Sequence, residues 1–214
     1  MKRGTMRIKI KLVTFVLAAL LGINFSGAAQ AADTLLDEVV SLKLGLGGYV
    51  IGGQLDTAQK KIAREHPVGD AYEGTYKFND NDLNVVVDVK TDRVLALYRQ
   101  VKDASKSQLK SLVVELMGHF NAPTNIAHEK ILYWAFNKHG AVSEGDFNKA
   151  KDLKQTPELG IIATVKLNSE MDIAPDLKEE DKAGEDKNDP VTGSIYFMIS
   201  SQPLLMEFMG AGAQ

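Results

Sequence analysis

Apolar residues Leu35, Leu36, Val39 and Val40 recur at helical spacing after Asp33 and Thr34, either of which can cap the helix. That pattern stops at a glycine-rich stretch, Gly45 to Gly53, which reads as a turn-rich connector around a short apolar segment. Asp56 followed by Gln59 has the form of a capping box, so a second helix is expected from there to just before Pro67. Strand-like runs follow at Gly74–Phe78, Leu83–Val89 and Val94–Tyr98. In the second of these, Leu83, Val85, Val87 and Val89 make one wholly apolar face. The joints Asn79 to Asp82 and Lys90 to Arg93 are short and polar, which suits antiparallel hairpins.

The pattern then restarts. Ser105 and Gln108 form another capping-box signature, and Leu109, Leu112, Val113, Leu116, Met117 and Phe120 make the most regular helical stripe in the chain, ending near Asn121. Strand-like runs follow at Lys130–Phe136, Gly160–Leu167 and Ser194–Ser200, separated by longer insertions. The expected fold is α+β: an antiparallel sheet with helices packed on one face, organised as two helix-plus-three-strand units, 46–101 and 105–209.

Ahead of these elements stand Lys2, Arg3, Arg7, Lys9 and Lys11 without an acidic residue, then an apolar run from Leu12 to Ile23 and the tripeptide Ala29-Gln30-Ala31. This is the grammar of a secretory signal cleaved after Ala31, which leaves 32–214 as a single domain and places the protein in the periplasm of a Gram-negative bacterium or outside the cell. Cleavage changes the charge. The whole chain carries Lys+Arg 25 against Asp+Glu 28, and loss of the five signal cations takes the net charge from −3 to −8. A net-acidic protein is poorly suited to nucleic acid or to anionic lipid, and no stable membrane anchor is expected after cleavage. Most of that acidity falls between Ser169 and Pro190, where nine carboxylates accompany three lysines. This segment is expected to be a mobile loop whose removal, from Met171 to Asp189, leaves the fold intact.

The absence of cysteine excludes disulfide scaffolds, thiol nucleophiles and Cys-ligated metals. Gly47 and Gly52 have the outer spacing of a phosphate loop, but Gly53 and Gln54 stand where the lysine and hydroxyl are needed. His128-Glu129 begins like a zinc-protease motif, yet Leu132 replaces the second histidine. Asp80-Asn81-Asp82 and Glu185 to Asp189 gather hard oxygen ligands without the spacing of an EF-hand loop. No catalytic residue, metal ligand or cofactor is therefore assigned.

Two apolar runs, both read as strands, remain as a candidate interaction surface: Tyr133, Trp134 and Phe136, with Tyr133 facing opposite to the other two, and the Met-rich run containing Met206, Phe208 and Met209. Tyr49-Val-Ile-Gly-Gly-Gln-Leu55, the helix opened by Asp56 and Gln59 and closed near Pro67, and the antiparallel strands after it together resemble the small exported α+β modules of the BamE (SmpA/OmlA) and β-lactamase-inhibitor-protein superfamily. The resemblance covers Tyr49 to Tyr98 and implies protein binding rather than catalysis; the chain departs from the outer-membrane members in lacking a lipidated cysteine. The leading expectation is a non-enzymatic exported protein that binds another protein or an envelope component through an apolar sheet face. Two alternatives stand beside it: a small-ligand or metal-binding domain, hydrolytic or not, that uses His128 and His139 with nearby carboxylates, and a self-associating structural protein.

Overall fold

The computed structural model describes residues 34–69, 71–173 and 192–210. The expected export signal, residues 1–31, and most of the acidic segment lie outside these residues. Glu38–Gln214 form one compact unit; of the unit before it, Met1–Asp37, the described residues 34–37 are helical.

Helix α1 (34–41) leads into a tight hairpin of β1 (Gly45–Leu46) and β2 (Tyr49–Val50). The glycine-rich stretch is thus a two-stranded ribbon, and two of its glycines are required by geometry. A Cβ on Gly45 would collide with the Tyr49 carbonyl oxygen, and Gly48 turns the chain at φ 85°. The ribbon is fixed through its side chains. Tyr49 is buried edge-on against Phe78, with ring centroids 5.7 Å apart, and its hydroxyl donates to Asp80 Oδ2 at 2.8 Å.

Helix α2 (Thr57–Glu65) opens with the expected capping box, Asp56 accepting from the Gln59 amide while the Gln59 side chain accepts from the Asp56 amide. It leads into β3 (Pro67–Val68), β4 (Thr75–Asp80), β5 (Leu83–Asp88) and β6 (Val94–Ser105). Ser105 then caps α3 (Lys106–Phe120) by the same reciprocal device with Gln108. After α3 come β7 (Asn125–Ala127), β8 (Ile131–Asn137), β9 (Gly140–Ala141), α4 (Glu144–Asp152), a 3₁₀ turn (Thr156–Leu159), β10 (Ala163–Ser169), β11 (Thr192–Ser200) and α5 (Gln202–Gly210).

The strands form one antiparallel sheet in the order β3-β4-β5-β6-β11-β10-β8-β7, with β9 pairing only with β8. Each half is a helix, a short edge strand and three long strands, laid inward from opposite edges so that the last strands of the halves, β6 and β11, pair in the middle. The halves differ in their connections. A tight turn at Asn81-Asp82 joins β4 to β5, whereas residues 138–162, including β9 and α4, separate the equivalent strands β8 and β10.

One face of the sheet is the core. Phe78, Val85, Leu97, Ile199, Val165 and Trp134 stand opposite one another across six strands, and each is almost wholly buried. Helix α3 covers this face, its Phe120 ring 6.2 Å from Trp134 and 6.3 Å from Phe136. Helix α4 does not join it. Its Phe147 lies 6.0 Å from Tyr133, which projects from the opposite face, so the expectation of helices on one face holds for α3 and fails for α4.

Beyond the short strands β3, β7 and β9, further main-chain groups of β4 and β8 are also engaged. At the β4 edge the Asn79 amide donates to the His66 carbonyl at 3.0 Å. At the β8 edge the Ala135 amide donates to Thr124 Oγ1 at 3.0 Å, and the Ala135 carbonyl accepts from Val142 at 2.8 Å.

Two regions depart from expectation. The acidic segment is packed at its start: Met171 and Ile173 are buried, and the Ile173 amide donates to the Glu129 carbonyl at 2.6 Å. A deletion beginning at Met171 therefore removes core, while residues 174–191 lie outside those described. The Met-rich C-terminal run, read with the strands, is instead helix α5, held at its start by Ser201, whose hydroxyl donates to the Ile162 carbonyl and accepts from the Leu204 amide.

Glu129 and His128 form the Ala127–Lys130 turn with φ of 57° and 53°, a conformation that normally calls for Asn-Gly. Replacing His128-Glu129 by Asn-Gly relieves about 1–2 kcal/mol per residue and is expected to raise the melting temperature by several degrees, read by circular dichroism. Conversely, Ile173→Ala is expected to cost about 2–5 kcal/mol in a denaturant titration; a loss near zero would mean that the start of the acidic segment contributes nothing to the core.

Candidate functional site

The register that buries one face fixes the composition of the other. Directly opposed residues share a face, so Asn79, Asn84, Tyr98, Met198, Lys166, Tyr133 and Asn125 form a continuous row across seven strands. On one side of it runs Lys77, Val86, Ala96, Ser200, Thr164 and Ala135, and on the other Gln100, Tyr196, Asn168, Ile131 and Ala127. These rows contain two lysines, three tyrosines and no carboxylate.

In the middle of this face the side chains pack against one another and stay partly exposed among the described residues. The Tyr98 and Tyr196 rings are 5.9 Å apart, and Tyr98, Tyr196, Met198 and Tyr133 are all partly exposed. Lys166 Nζ sits 5.5 Å from the centre of the Tyr133 ring, at cation–π distance, while Phe147 closes the ring from the side of α4. Burial pushes the phenol of Tyr133 above its ordinary range. Burial does the same to Tyr196, reinforced by Tyr98 and then Tyr72. Both tyrosines are therefore neutral hydrogen-bonding groups on aromatic platforms at physiological pH.

The residues named from the sequence separate cleanly. Tyr133 lies on the open face. Trp134 and Phe136 lie on the covered one, 1% and 6% exposed, and the Trp134 indole N–H donates to the Asn121 carbonyl at 2.9 Å. They are core, and a partner cannot reach them while α3 is in place. Met206 is exposed and Phe208 partly so, both on α5; the Met209 side chain lies outside what is described. Sequence reading missed Tyr98, Tyr196, Met198 and Lys166. Their signal was present as the alternate positions of strands whose other positions are apolar, Leu97 and Val165 among them.

His128 and His139 stand at opposite ends of β8, separated by a strand length of roughly 20 Å, so they do not share a metal site. Among the described residues no group of three or more histidines and carboxylates is placed to hold a metal ion. The oxygens near Asn81 are engaged: Asp80 accepts from Tyr49 and Asn81, and Asp82 pairs with Arg99 at 2.9 Å. Among the described residues no helix is long and apolar enough to cross a membrane. No protein-family model, curated protein or solved structure matches the chain.

Replacing Phe147 by alanine admits water to one side of the Tyr133 ring. The Tyr133 phenol is then expected to titrate closer to the ordinary tyrosine value of about 10, seen as an earlier ultraviolet transition in an alkaline titration. An unchanged titration would show that Phe147 does not shield it.

Proposed function

We propose that this is an exported, non-enzymatic periplasmic protein that binds another protein on the open face of its sheet. The observation that carries the reading is the tyrosine- and methionine-rich row Tyr98, Met198, Lys166 and Tyr133, with Tyr196 beside it, set on a rigid sheet and free of carboxylates. Tyrosine and methionine supply large contact area at modest entropic cost and are enriched at interfaces, while aspartate and glutamate are depleted there. The two faces differ in what they ask of a partner. Helix α3 packs on the covered face, whereas on the open face Tyr98, Tyr133, Tyr196 and Met198 are partly exposed and Lys166 is exposed. The export grammar of residues 1–31 and the resemblance to exported modules that bind proteins point the same way.

A photo-crosslinking amino acid placed at Lys166 and, as a control, at the exposed Val114 of α3 tests the proposal in cells. The expected result is a discrete protein adduct from position 166 alone, lost when Tyr98 and Tyr196 are both changed to alanine. Adducts of equal yield from both positions, or none from 166, would overturn it.

A further inference from the structure

The residues that make the two halves of the sheet unequal also build a cleft. Residues 138–162, inserted where the first half has a tight turn, border with Asn137 an open cleft of about 470 Å³ between β8, β9, α4 and the 3₁₀ turn. This lies within the roughly 300–1,000 Å³ of small-molecule sites. Its floor is apolar, formed by Val142 and Ala150, both buried, and by Leu159. Charged groups of both signs stand on its walls: Lys149 and Asp146 from α4, Glu158 from the 3₁₀ turn, and the His139 imidazole from the β8–β9 turn.

The hydrogen bonding divides these groups into builders and unused ones. The Asn137 side chain holds the frame, its amide donating to the Leu159 carbonyl at 3.3 Å and its oxygen accepting from the His139 amide at 2.9 Å. One Asp146 oxygen accepts from the Ser143 hydroxyl at 2.8 Å. By contrast, the Lys149 ammonium, the Glu158 carboxylate and the His139 imidazole have no side-chain partner among the described residues. A cleft that lines an apolar floor with an unpaired cation and an unpaired anion, without pairing them to each other, is complementary to a molecule carrying both charges and an apolar group.

We infer that this cleft binds a small zwitterion with an apolar side chain, of the class of free amino acids and dipeptides. Lys149 takes the carboxylate, with His139 beside it. Glu158 and the free oxygen of Asp146 take the ammonium, and the side chain rests on Val142, Ala150 and Leu159. The site is separate from the open face, although α4 borders both: its Phe147 meets Tyr133 while its Ala150 lines the cleft.

The test is an isotope-edited NMR titration of the folded chain with L-alanyl-L-leucine and, in parallel, with the N-acetylated, C-amidated dipeptide. The expected result is saturable shifts at Val142, Ala150 and Leu159 from the free dipeptide below about 10 mM, with the capped dipeptide at least roughly tenfold weaker. Lys149→Gln and Glu158→Gln, both at exposed positions and checked for folding by their unperturbed sheet resonances, are each expected to weaken the free dipeptide by about tenfold. Absence of saturable shifts, equal binding of the capped dipeptide, or indifference to both substitutions would overturn the inference. The Tyr98→Ala, Tyr196→Ala chain is expected to bind the dipeptide unchanged, which keeps the cleft distinguishable from the protein-binding face.

Discussion

The pairing of β6 with β11 is the constraint on which the rest of the structure depends. Among the described residues it is the one strand pairing that joins the two halves of the sheet, and its register sets Leu97 opposite Ile199 and Tyr98 opposite Met198. A slip of one residue would carry Phe197 and Ile199 to the open face and bring Tyr196 and Met198 into the core. The core row from Phe78 to Trp134 and the open row from Asn79 to Asn125 are therefore products of one alignment. Arg99 adds a second tie between the halves, standing 2.9 Å from Asp82 of the first and 3.9 Å from Glu115 on α3 of the second. Such partly exposed pairs contribute little energy, so the register rests chiefly on apolar burial.

Much of this fold was legible because its local signals are strong and mutually consistent. Both capping boxes place their helices to the residue, since each satisfies two backbone amides that would otherwise lack partners. The six long strands overlap the six strand-like runs of the sequence. The second half of β6 was invisible, because Gln100, Lys102 and Asp103 are polar and exposed and extend the strand only by pairing with β11. Helix α4 was missed for a related reason: with Phe147 and Ala150 as its only inward anchors it lacks a stripe. A short apolar run such as Leu204 to Met209 cannot be told from a strand by periodicity alone, and it is helical.

The site was less legible than the fold. In β8 both alternations are apolar or aromatic, so the strand by itself does not say whether Tyr133 or Trp134 faces the helix. That is decided by distant residues, Phe120 on one side and Phe147 on the other. The open row draws on seven strands spread from Asn79 to Met198, and no local window contains it. The cleft, too, is an assembly of a hairpin, a helix and a 3₁₀ turn whose residues look individually like ordinary solvated loop.

The bonding of the β8 main chain bears on how this surface can evolve. Recognition by strand addition depends on main-chain groups that every sequence has, so it tolerates change in either partner. With the Ala135 amide and carbonyl already taken by Thr124 and Val142, that route is shut along this stretch of β8. On the proposed reading, contacts are made instead by side chains on the open face, where a single substitution alters the fit. Such a surface changes in step with its partner or loses it, and two copies of the fold in different lineages can share every core residue while recognising nothing in common.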